Sequence, residues 1–409
     1  MRIAMVANWW YRRGGLGAVM LDEAAELERR GYDIAPFAAA HPDNLPSRWS
    51  EYFPGFRETG EMGAGMSAGA KAGTAFRLVR NGEAVRKFGA FLDASRPDVV
   101  HLHNAVRQLS PAILGMARKR RIPVIVTWHD YSLVCPQGKL LKGETRACTP
   151  PNCVHGNPLP VFRYKCIRRR RLPSLIAAVE YGTQRFTRAY SRSSYVAICP
   201  SHFLERTLVD AGIKPASVRY LPNGVAPGEE PQALPKSGGT MLYTGRLVVE
   251  KGLDVLLEAA RRLPEIPVVI AGDGPLRSQL EKQAPASVRF VGHLTPEELG
   301  RARAEAVAIL SPSVWYENAP IAILEAMRDG RPTIASEIGG QTELLTGGGL
   351  LTPAGDAAAL AVAMERLWKD RGLAAEMGAA ARVRLLAEFT LDRHVTALEA
   401  IYREALRAR

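Results

Sequence analysis

The sequence predicts an α/β protein of two domains, each built on a parallel β-sheet. The chain has 409 residues, which is more than one ordinary hydrophobic core takes up. Apolar segments of strand length alternate with longer segments of helical periodicity, which is the pattern of βαβ units. Residues 222–239 are rich in Pro and Gly and lack periodicity, and after them the alternation starts again.

The first domain is predicted to cover residues 1–222. It begins with an apolar strand at residues 3–7, a loop that ends in Gly14-Gly15-Leu16-Gly17, and a helix at residues 18–30. Residues 41–72 are predicted as a loop, and residues 130–167 as a cysteine-containing insertion. Further strands are predicted at residues 32–37, 98–103, 124–127, 195–199 and 218–221, and further helices at 75–95, 110–121 and 173–192.

The second domain is predicted to cover residues 223–389. Its strands are predicted at residues 241–244, 267–271, 288–291, 308–311, 333–336 and 349–351, with helices between them. Residues 390–409 are predicted as a C-terminal helix that can pack back towards the first domain.

The charge is unevenly distributed over the two domains. Residues 1–222 carry a net charge of +16, whereas residues 223–409 carry −3. This asymmetry favours an anionic partner: a membrane surface, a phosphorylated acceptor or a nucleic acid. The sequence contains no apolar run near the ~20 residues of a membrane-spanning helix, and its N-terminal segment does not have the pattern of a signal peptide. We therefore expect a cytoplasmic protein.

Two carboxylates frame one motif of the second domain, Glu317-Asn318-Ala319-Pro320-Ile321-Ala322-Ile323-Leu324-Glu325. Pro320 predicts a helix start, where its missing N–H group has no effect on stability. The free N–H groups of a helix start and the positive end of the helix dipole suit an anion. Arg246 and Lys251 follow the first strand of the same domain, and two cations at a strand end suit a diphosphate.

Four motifs in this order resemble the retaining glycosyltransferase family 4. They are Gly245-Arg246 with Lys251-Gly252, Gly272-Asp273-Gly274-Pro275, the segment from Glu317 to Glu325, and Gly339-Gly340 with Glu343. Gly14-Gly15 and His129-Asp130-Tyr131 with Cys135-Pro136 are similar to a subset of the family. The resemblance implies GT-B architecture, in which two Rossmann-like domains with parallel sheets face a central cleft.

The resemblance also implies roles for individual residues. Arg246 and Lys251 would hold the diphosphate of a nucleotide-sugar donor, with Gly14 and Gly15 approaching it from the first domain. Glu325 would accept hydrogen bonds from the ribose, Glu317 would contact the donor sugar, and His129 would lie by the reacting sugar. Further donor-site candidates are Gly292 near the nucleobase, the backbone of Asn318, Ala319, Pro320 and Ile321, and the side chains of Asp130 and Glu343.

The implied reaction is sugar transfer with retention at the anomeric carbon, from a UDP- or GDP-sugar to a glycan, glycolipid or polysaccharide. Because two cations neutralise the diphosphate and no Asp-x-Asp motif is present, we expect no metal cofactor in catalysis. Many relatives have Phe-Gly after the first glutamate, where this chain has Asn318-Ala319-Pro320. That difference bears on sugar specificity.

Four of the five cysteines fall within the insertion: Cys135, Cys148, Cys153 and Cys166. The central pair has the spacing of half a zinc site, and the outer pair can complete four thiolate ligands, or His155 can replace one of them. Unbound thiols and disulfides are the alternatives.

An arginine run, Arg168 to Arg171, precedes a predicted basic amphipathic helix. Arg163, Lys165, Arg185, Arg188 and Arg192 add charge, and Leu172, Leu175, Ile176, Val179 and Phe186 form an apolar side. This pattern suits peripheral binding to the anionic inner face of a membrane.

Two other functions fit parts of the sequence. A sugar-nucleotide epimerase uses the same architecture without an acceptor, but its relatives usually lack the Arg246/Lys251 and Glu317/Glu325 set. A nucleic-acid-binding protein would use the basic half, but aromatic residues are not interleaved with the charges. We therefore expect no nucleic-acid partner.

Overall fold

The structure of the chain is a computed structural model. It describes residues 1–55, 81–104, 108–143, 146–148, 153–187, 190 and 196–408. The chain divides into two compact units. Unit 1 consists of Met1–Gly143, Cys148–Pro222 and His394–Arg409, and unit 2 consists of Glu144–Ala147 and Asn223–Arg393. Among the described residues, no helix is both long and apolar enough to cross a bilayer.

Unit 1 is built on a parallel sheet with six strands in the described part of the chain. In chain order they are β1 (Arg2–Ala7), β2 (Asp33–Phe37), β3 (Val99–His103), β4 (Val124–Thr127), β5 (Val196–Cys199) and β6 (Val218–Tyr220). The sheet order is β2-β1-β3-β4-β5-β6, and all neighbours are parallel. Helices on both faces bury the central strands, which explains why their sequences read as continuous apolar runs.

Six α-helices of residues 1–222 lie in the described part of the chain; four were predicted, with different ends, and the fourth and the sixth were not predicted. They are α1 (Gly14–Arg29), α2 (Gly82–Ser95), α3 (Leu114–Lys119), α4 (Leu159–Arg163), α5 (Arg171–Thr187) and α6 (His202–Asp210). Helix α1 begins four residues earlier than predicted. The predicted helix at residues 110–121 is a 3₁₀ turn, Pro111–Ile113, followed by α3. Residues 75–80, 188–189 and 191–192 of the predicted helices and residues 56–72 of the predicted loop lie outside the described residues.

Unit 2 repeats the same architecture. Its strands are β7 (Thr240–Thr244), β8 (Val268–Ala271), β9 (Val288–Gly292), β10 (Ala306–Ser311), β11 (Thr333–Ser336) and β12 (Gly349–Thr352). Its helices are α7 (Leu253–Arg261), α8 (Arg277–Gln283), α9 (Pro296–Ala304), α10 (Ile321–Arg328), α11 (Gln341–Leu344), α12 (Ala357–Lys369) and α13 (Arg371–Glu388). The parallel order is β9-β8-β7-β10-β11-β12. The prediction of two parallel-sheet α/β domains is confirmed.

The last helix, α14 (Leu391–Arg407), returns the chain to unit 1. Its buried side chains include His394, Leu398 and Tyr402. His394 and Tyr402 contact residues of α1 and β3, so the end of the chain forms part of the core of unit 1.

Candidate functional site

The candidate site of unit 2 lies where the order of its strands reverses. Strands β7 and β10 are neighbours, but the chain leaves β7 towards β8 on one side and continues from β10 to β11 on the other. The loops at the carboxyl ends of such a strand pair diverge and leave a crevice between them. Arg246 and Lys251 follow β7, and Glu317 follows β10, so the predicted site residues belong to these two loops.

Lys251 and Glu317 form an ion pair between the two loops. The Lys251 Nζ atom lies 2.6 Å from Oε1 of Glu317, which also accepts a hydrogen bond from the Ser313 hydroxyl at 2.5 Å. The Glu317 residue is only 4% exposed. A buried carboxylate with two donors is held in one position, and it fixes the ammonium group at the mouth of the crevice.

Glycines allow these loops to approach each other. Gly252 has φ +67°, and a Cβ atom there would lie 2.0 Å from the carbonyl oxygen of Pro312. Gly339, also with positive φ, forms a bridge to Glu317, and the Gly340 N–H donates to the Glu317 carbonyl at 2.6 Å. The backbone of Glu317 is therefore anchored on one side, while its side chain is anchored by Lys251 on the other.

Arg246 presents its guanidinium to solvent. Its side chain is 67% exposed and lies 4.0 Å from Glu250, which is buried. The backbone of Arg246 is fixed by the Tyr243 hydroxyl, which donates to its carbonyl at 3.0 Å. A fixed backbone with an exposed guanidinium suits a residue that reaches a ligand.

Helix α10 begins beside the Lys251–Glu317 pair. Its first residue is Ile321, and Pro320 is its N-cap, so Pro320 lies at a helix start as predicted. No side-chain hydrogen bond caps this start, and its first turn contains no acidic residue. The Asn223 side chain donates to the Ala319 carbonyl at 3.2 Å and fixes the approach to the helix. Asn223 was not identified from the sequence.

The other predicted residues of unit 2 lie on nearby elements. Glu325, on the second turn of α10, lies 3.4 Å from the buried guanidinium of Arg303, another residue that the sequence did not single out. Gly292 ends β9 with positive φ, and its carbonyl accepts from the Gly272 N–H at 2.7 Å. Glu343 lies in α11, directly after the Gly339-Gly340 segment that contacts Glu317. The donor-site roles of these residues stay predictions.

The glycine loop of unit 1 is the first turn of a helix. Gly14 and Gly15 begin α1, and Gly14 has φ +62°. The residue that requires a missing Cβ is Gly17, where a Cβ would lie 2.7 Å from the Tyr11 carbonyl oxygen. The N-cap of α1 makes no side-chain hydrogen bond and its first turn contains no acidic residue. These features suit an anion at the start of α1.

His129 follows β4 and is hydrogen-bonded to a second histidine. Its Nε2 atom lies 3.0 Å from Nδ1 of His103, and its backbone N–H donates to the Asn104 side chain. Burial, and then the neighbouring His103, lower the pKa of His129 well below its ordinary value. The imidazole is therefore neutral at neutral pH. The carboxylate of Asp130, by contrast, accepts from the backbone N–H of Ser132 at 2.8 Å, as in an Asx-turn.

A buried polar network lies behind His129. Glu23, on α1, lies 3.1 Å from His101, 3.4 Å from His103 and 3.0 Å from His394. His101 also contacts the Tyr402 and Thr127 hydroxyls, each at 2.8 Å. This network was not predicted from the sequence. A glutamate in an amphipathic helix and histidines in an apolar strand do not show in the sequence which residues they contact.

The network sets the protonation of its members. Burial lowers the pKa of His101 to about 4, so His101 is neutral. Burial of Glu23 opposes ionisation, but charge interactions and hydrogen bonds with His101 and His103 bring its pKa well below the ordinary value. Glu23 is therefore the ionised member. Its Oε2 atom is hydrogen-bonded to His394, and its Oε1 atom lies 3.1 Å from His101.

Two successive α/β units, each built on a six-stranded parallel sheet, are the architecture of the GT-B class of glycosyltransferases. Comparison with family models identifies the family within that class. Residues 13–229 match Glycosyltransferase Family 4, and residues 238–370 match Glycosyl transferases group 1. The chain belongs to glycosyltransferase family 4, and the prediction that it is a glycosyltransferase is confirmed.

Individual relatives cover the whole chain. It is 29% identical over 437 residues to the glycogen synthase of Mycobacterium tuberculosis, which covers 100% of this chain and 95% of that protein. Among solved structures, sucrose-phosphate synthase from Thermosynechococcus elongatus has a TM-score of 0.72 at 19% identity, with 100% of both chains covered. HepE from Anabaena, in complex with UDP, has a TM-score of 0.64 at 16% identity, covering 99% of this chain and 100% of that one. These two structures share the fold.

Proposed function

We propose that the protein transfers a sugar from a UDP- or GDP-sugar to a glycan, glycolipid or polysaccharide, with retention at the anomeric carbon. The observation that carries this proposal is the Lys251–Glu317 ion pair at the strand-order reversal of unit 2. It holds a cation beside the start of α10, which no side chain caps. The free N–H groups and the helix dipole at this start stabilise an anionic leaving group. Binding of UDP by the structural neighbour HepE supports a nucleotide diphosphate as the leaving group.

The reaction breaks the bond between the anomeric carbon and the diphosphate, so negative charge develops on the leaving oxygen. Arg246, Lys251 and the N–H groups at the start of α10 would stabilise that charge, and one preorganised donor of this kind is commonly worth about 3 kcal/mol. With two side-chain cations in this role, the reaction does not require a metal ion. In front-face attack the departing phosphate takes the acceptor proton, so the reaction needs no strong enzymatic base, and the neutral state of His129 is consistent with this.

Nucleotide binding tests the site directly. UDP, GDP, ADP, CMP and dTDP are compared in a thermal-shift panel, in which a ligand at 100 times its Kd stabilises by about 2.7 kcal/mol. We expect UDP or GDP to raise the melting temperature most. The same nucleotide should leave the melting temperature of Lys251→Ala unchanged, compared with that variant without nucleotide. The matched control is Lys369→Ala, since Lys369 is an exposed lysine of the same unit paired with Glu365. If no nucleotide binds the wild type, the donor site is placed wrongly.

Stereochemistry and metal dependence need a second experiment. With the donor found in the panel, NMR of the product is expected to show the anomeric configuration of the donor. Activity is expected to persist in a chelator. An inverted product, or activity restored only by a divalent cation, would contradict these parts of the proposal.

The acceptor side of the proposal includes an anionic membrane surface. On α5, the apolar stripe of Leu172, Leu175, Val179 and Phe186 is exposed, with Phe186 89% accessible. These four positions lie on one face at helical spacing. Exposed Leu159 and Phe162 lie on the neighbouring α4, which packs against α5.

Exposed basic residues directly precede the apolar stripe in the chain. Arg163, Lys165 and the run from Arg168 to Arg171 are exposed, whereas Arg185 is turned towards Tyr181 and the Ala211 carbonyl. Arg188 and Arg192 lie outside the described residues. A contiguous apolar patch preceded in the chain by cations suits the interface of an anionic bilayer, and this gives access to a lipid-linked acceptor.

Vesicle co-sedimentation tests membrane binding. We expect binding to phosphatidylglycerol vesicles, several-fold weaker binding at high salt, and little binding to phosphatidylcholine. The double variant Val179→Ser/Phe186→Ser should lose at least about tenfold in affinity, since burial of one such side chain alone contributes about 1.5–3 kcal/mol and about 1.4 kcal/mol is tenfold. Val362→Ser/Val383→Ser is the matched control, because both valines are exposed on helices of unit 2. Equal binding to neutral vesicles at high salt would refute an electrostatic contribution.

A further inference from the structure

Four of the five cysteines line one small cavity in unit 1. Cys135, Cys148, Cys153 and Cys166 face it together with apolar side chains such as Leu140, Leu141 and Val161. The surrounding segment contains little regular structure: two strands of two residues, Leu141–Lys142 and Arg146–Ala147, and the short helix α4. The cysteines are thus the common feature around which this segment is folded.

Hydrogen bonds between side chains and backbone hold the cysteine loops together. The Gln137 amide nitrogen donates to the Cys166 carbonyl at 2.6 Å, and its oxygen accepts from the Leu141 N–H at 3.2 Å. The Tyr181 hydroxyl, on α5, lies 3.2 Å from the Val134 carbonyl and 3.1 Å from the Cys153 carbonyl. The Cys148 N–H donates to the Leu140 carbonyl at 2.8 Å. All four cysteines are therefore tied to one scaffold.

The loop after Cys135 is a tight turn. The Cys135 N–H donates to the Tyr131 carbonyl at 2.7 Å, and the Gly138 N–H donates to the Cys135 carbonyl at 2.9 Å. Gly138 and Leu140 have positive φ. The turn therefore fixes the backbone of Cys135 beside the cavity.

The four cysteine sulfurs determine which kind of ion the cavity can bind. None of the five cysteines, all of which are among the described residues, is in a disulfide. A small cavity with four sulfurs and otherwise apolar walls suits a soft cation, and four thiolates are a standard ligand set for structural zinc. In the described part of the chain, only Glu23, His101 and His103 place three candidate ligand atoms within 4.8 Å of one another. The four cysteine sulfurs do not form such a group in this structure, so they must move closer together to coordinate one ion.

We propose that Cys135, Cys148, Cys153 and Cys166 bind one zinc ion as four thiolates. Binding releases the thiol protons and fastens the cysteine loops to one another. Cys153 and Cys166 lie before and after α4, and both pack with Val161 of α4 and Ala178 of α5. The ion therefore fixes the two helices that carry the exposed apolar residues. Its role is structural, and the inference does not depend on the donor site.

Metal analysis and thermal unfolding test the proposal on the full chain, purified under reducing conditions from zinc-supplemented growth. We expect about one zinc per chain, which a strong chelator removes with a fall in melting temperature. Cys148→Ser should bring the zinc content below half of the wild-type value. This variant is chosen because Cys148 is the least buried of the four. Cys199→Ala, which removes the buried cysteine of β5, should leave zinc content unchanged.

Cobalt substitution keeps the proposal testable if a variant fails to fold. The Co²⁺-loaded wild type is expected to show the near-ultraviolet charge-transfer bands and intense visible bands of tetrahedral thiolate coordination. The proposal is overturned if reduced protein contains no zinc and takes up no Co²⁺. It is equally overturned if the metal is unaffected by Cys148→Ser, if iron and sulfide are found instead, or if the four cysteines prove to be oxidised in pairs.

Discussion

Lys251 and Glu317 are 66 residues apart in the chain, yet the position of each depends on the other. Glu317 is buried and needs a counter-charge, and its carboxylate holds the Lys251 ammonium at 2.6 Å. Replacing one partner alone leaves a buried charge without its counter-charge, which strongly lowers the stability of the fold. The same ion pair therefore serves stability and ligand binding.

A double-mutant cycle measures this coupling. Lys251→Met and Glu317→Gln are each expected to lower the free energy of unfolding, and the double variant to lower it by less than the sum. We expect a coupling energy of about 1–3 kcal/mol. Urea unfolding followed by tryptophan fluorescence can report it, since Trp315 lies 5.8 Å from the Lys251 ammonium. The exposed pair Lys369–Glu365 is the control and should give about 0.3–0.5 kcal/mol. Additive effects at Lys251 and Glu317 would show that the pair is not coupled.

Single residues also mark the limit of prediction from sequence. Lys251 and Glu317 were predicted because they belong to ordered motifs with fixed spacing. Glu23 and His103 were not, because their significance comes from contacts between α1 and β3, which are distant in the chain. Arg303 was missed for the same reason: its partner Glu325 lies on another helix. Pairing across elements is a property of packing, which local sequence does not specify.

At the scale of elements, close approach of loops explains the glycines of unit 2. The turn at Gly252 joins β7 to α7, and it passes so close to the loop after β10 that a methyl group would overlap the Pro312 carbonyl. Positive φ adds a second restriction at the same position. The distance between the two loops, and so the position of Lys251 opposite Glu317, depends on this residue.

Gly252→Ala is therefore expected to destabilise unit 2 by more than about 1 kcal/mol and to weaken nucleotide binding. Gly300→Ala is the control, because Gly300 lies within α9 and an added Cβ meets open space. That change should be neutral or stabilising by up to about 1 kcal/mol. Circular dichroism melting and the nucleotide thermal shift give both readouts. Equal behaviour of the two variants would show that loop approach is unimportant.

The elements themselves were predicted well where the pattern is strong. The buried strands were found because parallel strands covered on both faces are continuous apolar runs. The start of α1 was placed too late because glycines normally end helices, whereas Gly14 and Gly15 begin this one. The segment around the cysteines was left without structure, since its order comes from long-range hydrogen bonds such as Gln137 to Cys166.

At the scale of the whole molecule, the buried network of unit 1 makes stability depend on pH. His101 titrates at about 4 in the folded state, against an ordinary value of 6.5. The unfolded chain therefore binds more protons across this interval, and the free energy of unfolding rises with pH. The groups that face His101 and its neighbour His103 are Glu23 on α1, His129 after β4, and His394 and Tyr402 on α14. The lowered pKa of Glu23 acts in the same direction at lower pH.

We expect unit 1 to lose about 3 kcal/mol between pH 6.5 and pH 4 from the pKa difference of His101. His129, whose pKa is also lowered by burial, adds to this loss. Denaturant unfolding at a series of pH values measures the slope. His101→Gln should reduce the slope in this window. The control is His202→Gln, since His202 is an exposed histidine paired with Glu205. An unchanged slope in His101→Gln would place the pH dependence elsewhere.

The return of α14 to unit 1 has a consequence for how the protein is made. On the ribosome, residues 1–222 emerge first, and all of unit 2 follows before His394 and Tyr402 are synthesised. Until then Glu23 and His101 lack the partners that α14 supplies. Unit 1 therefore stays incompletely folded while more than 170 further codons are translated. Nascent chains halted before residue 394 should be more sensitive to protease in unit 1 than in unit 2, although unit 1 is begun first.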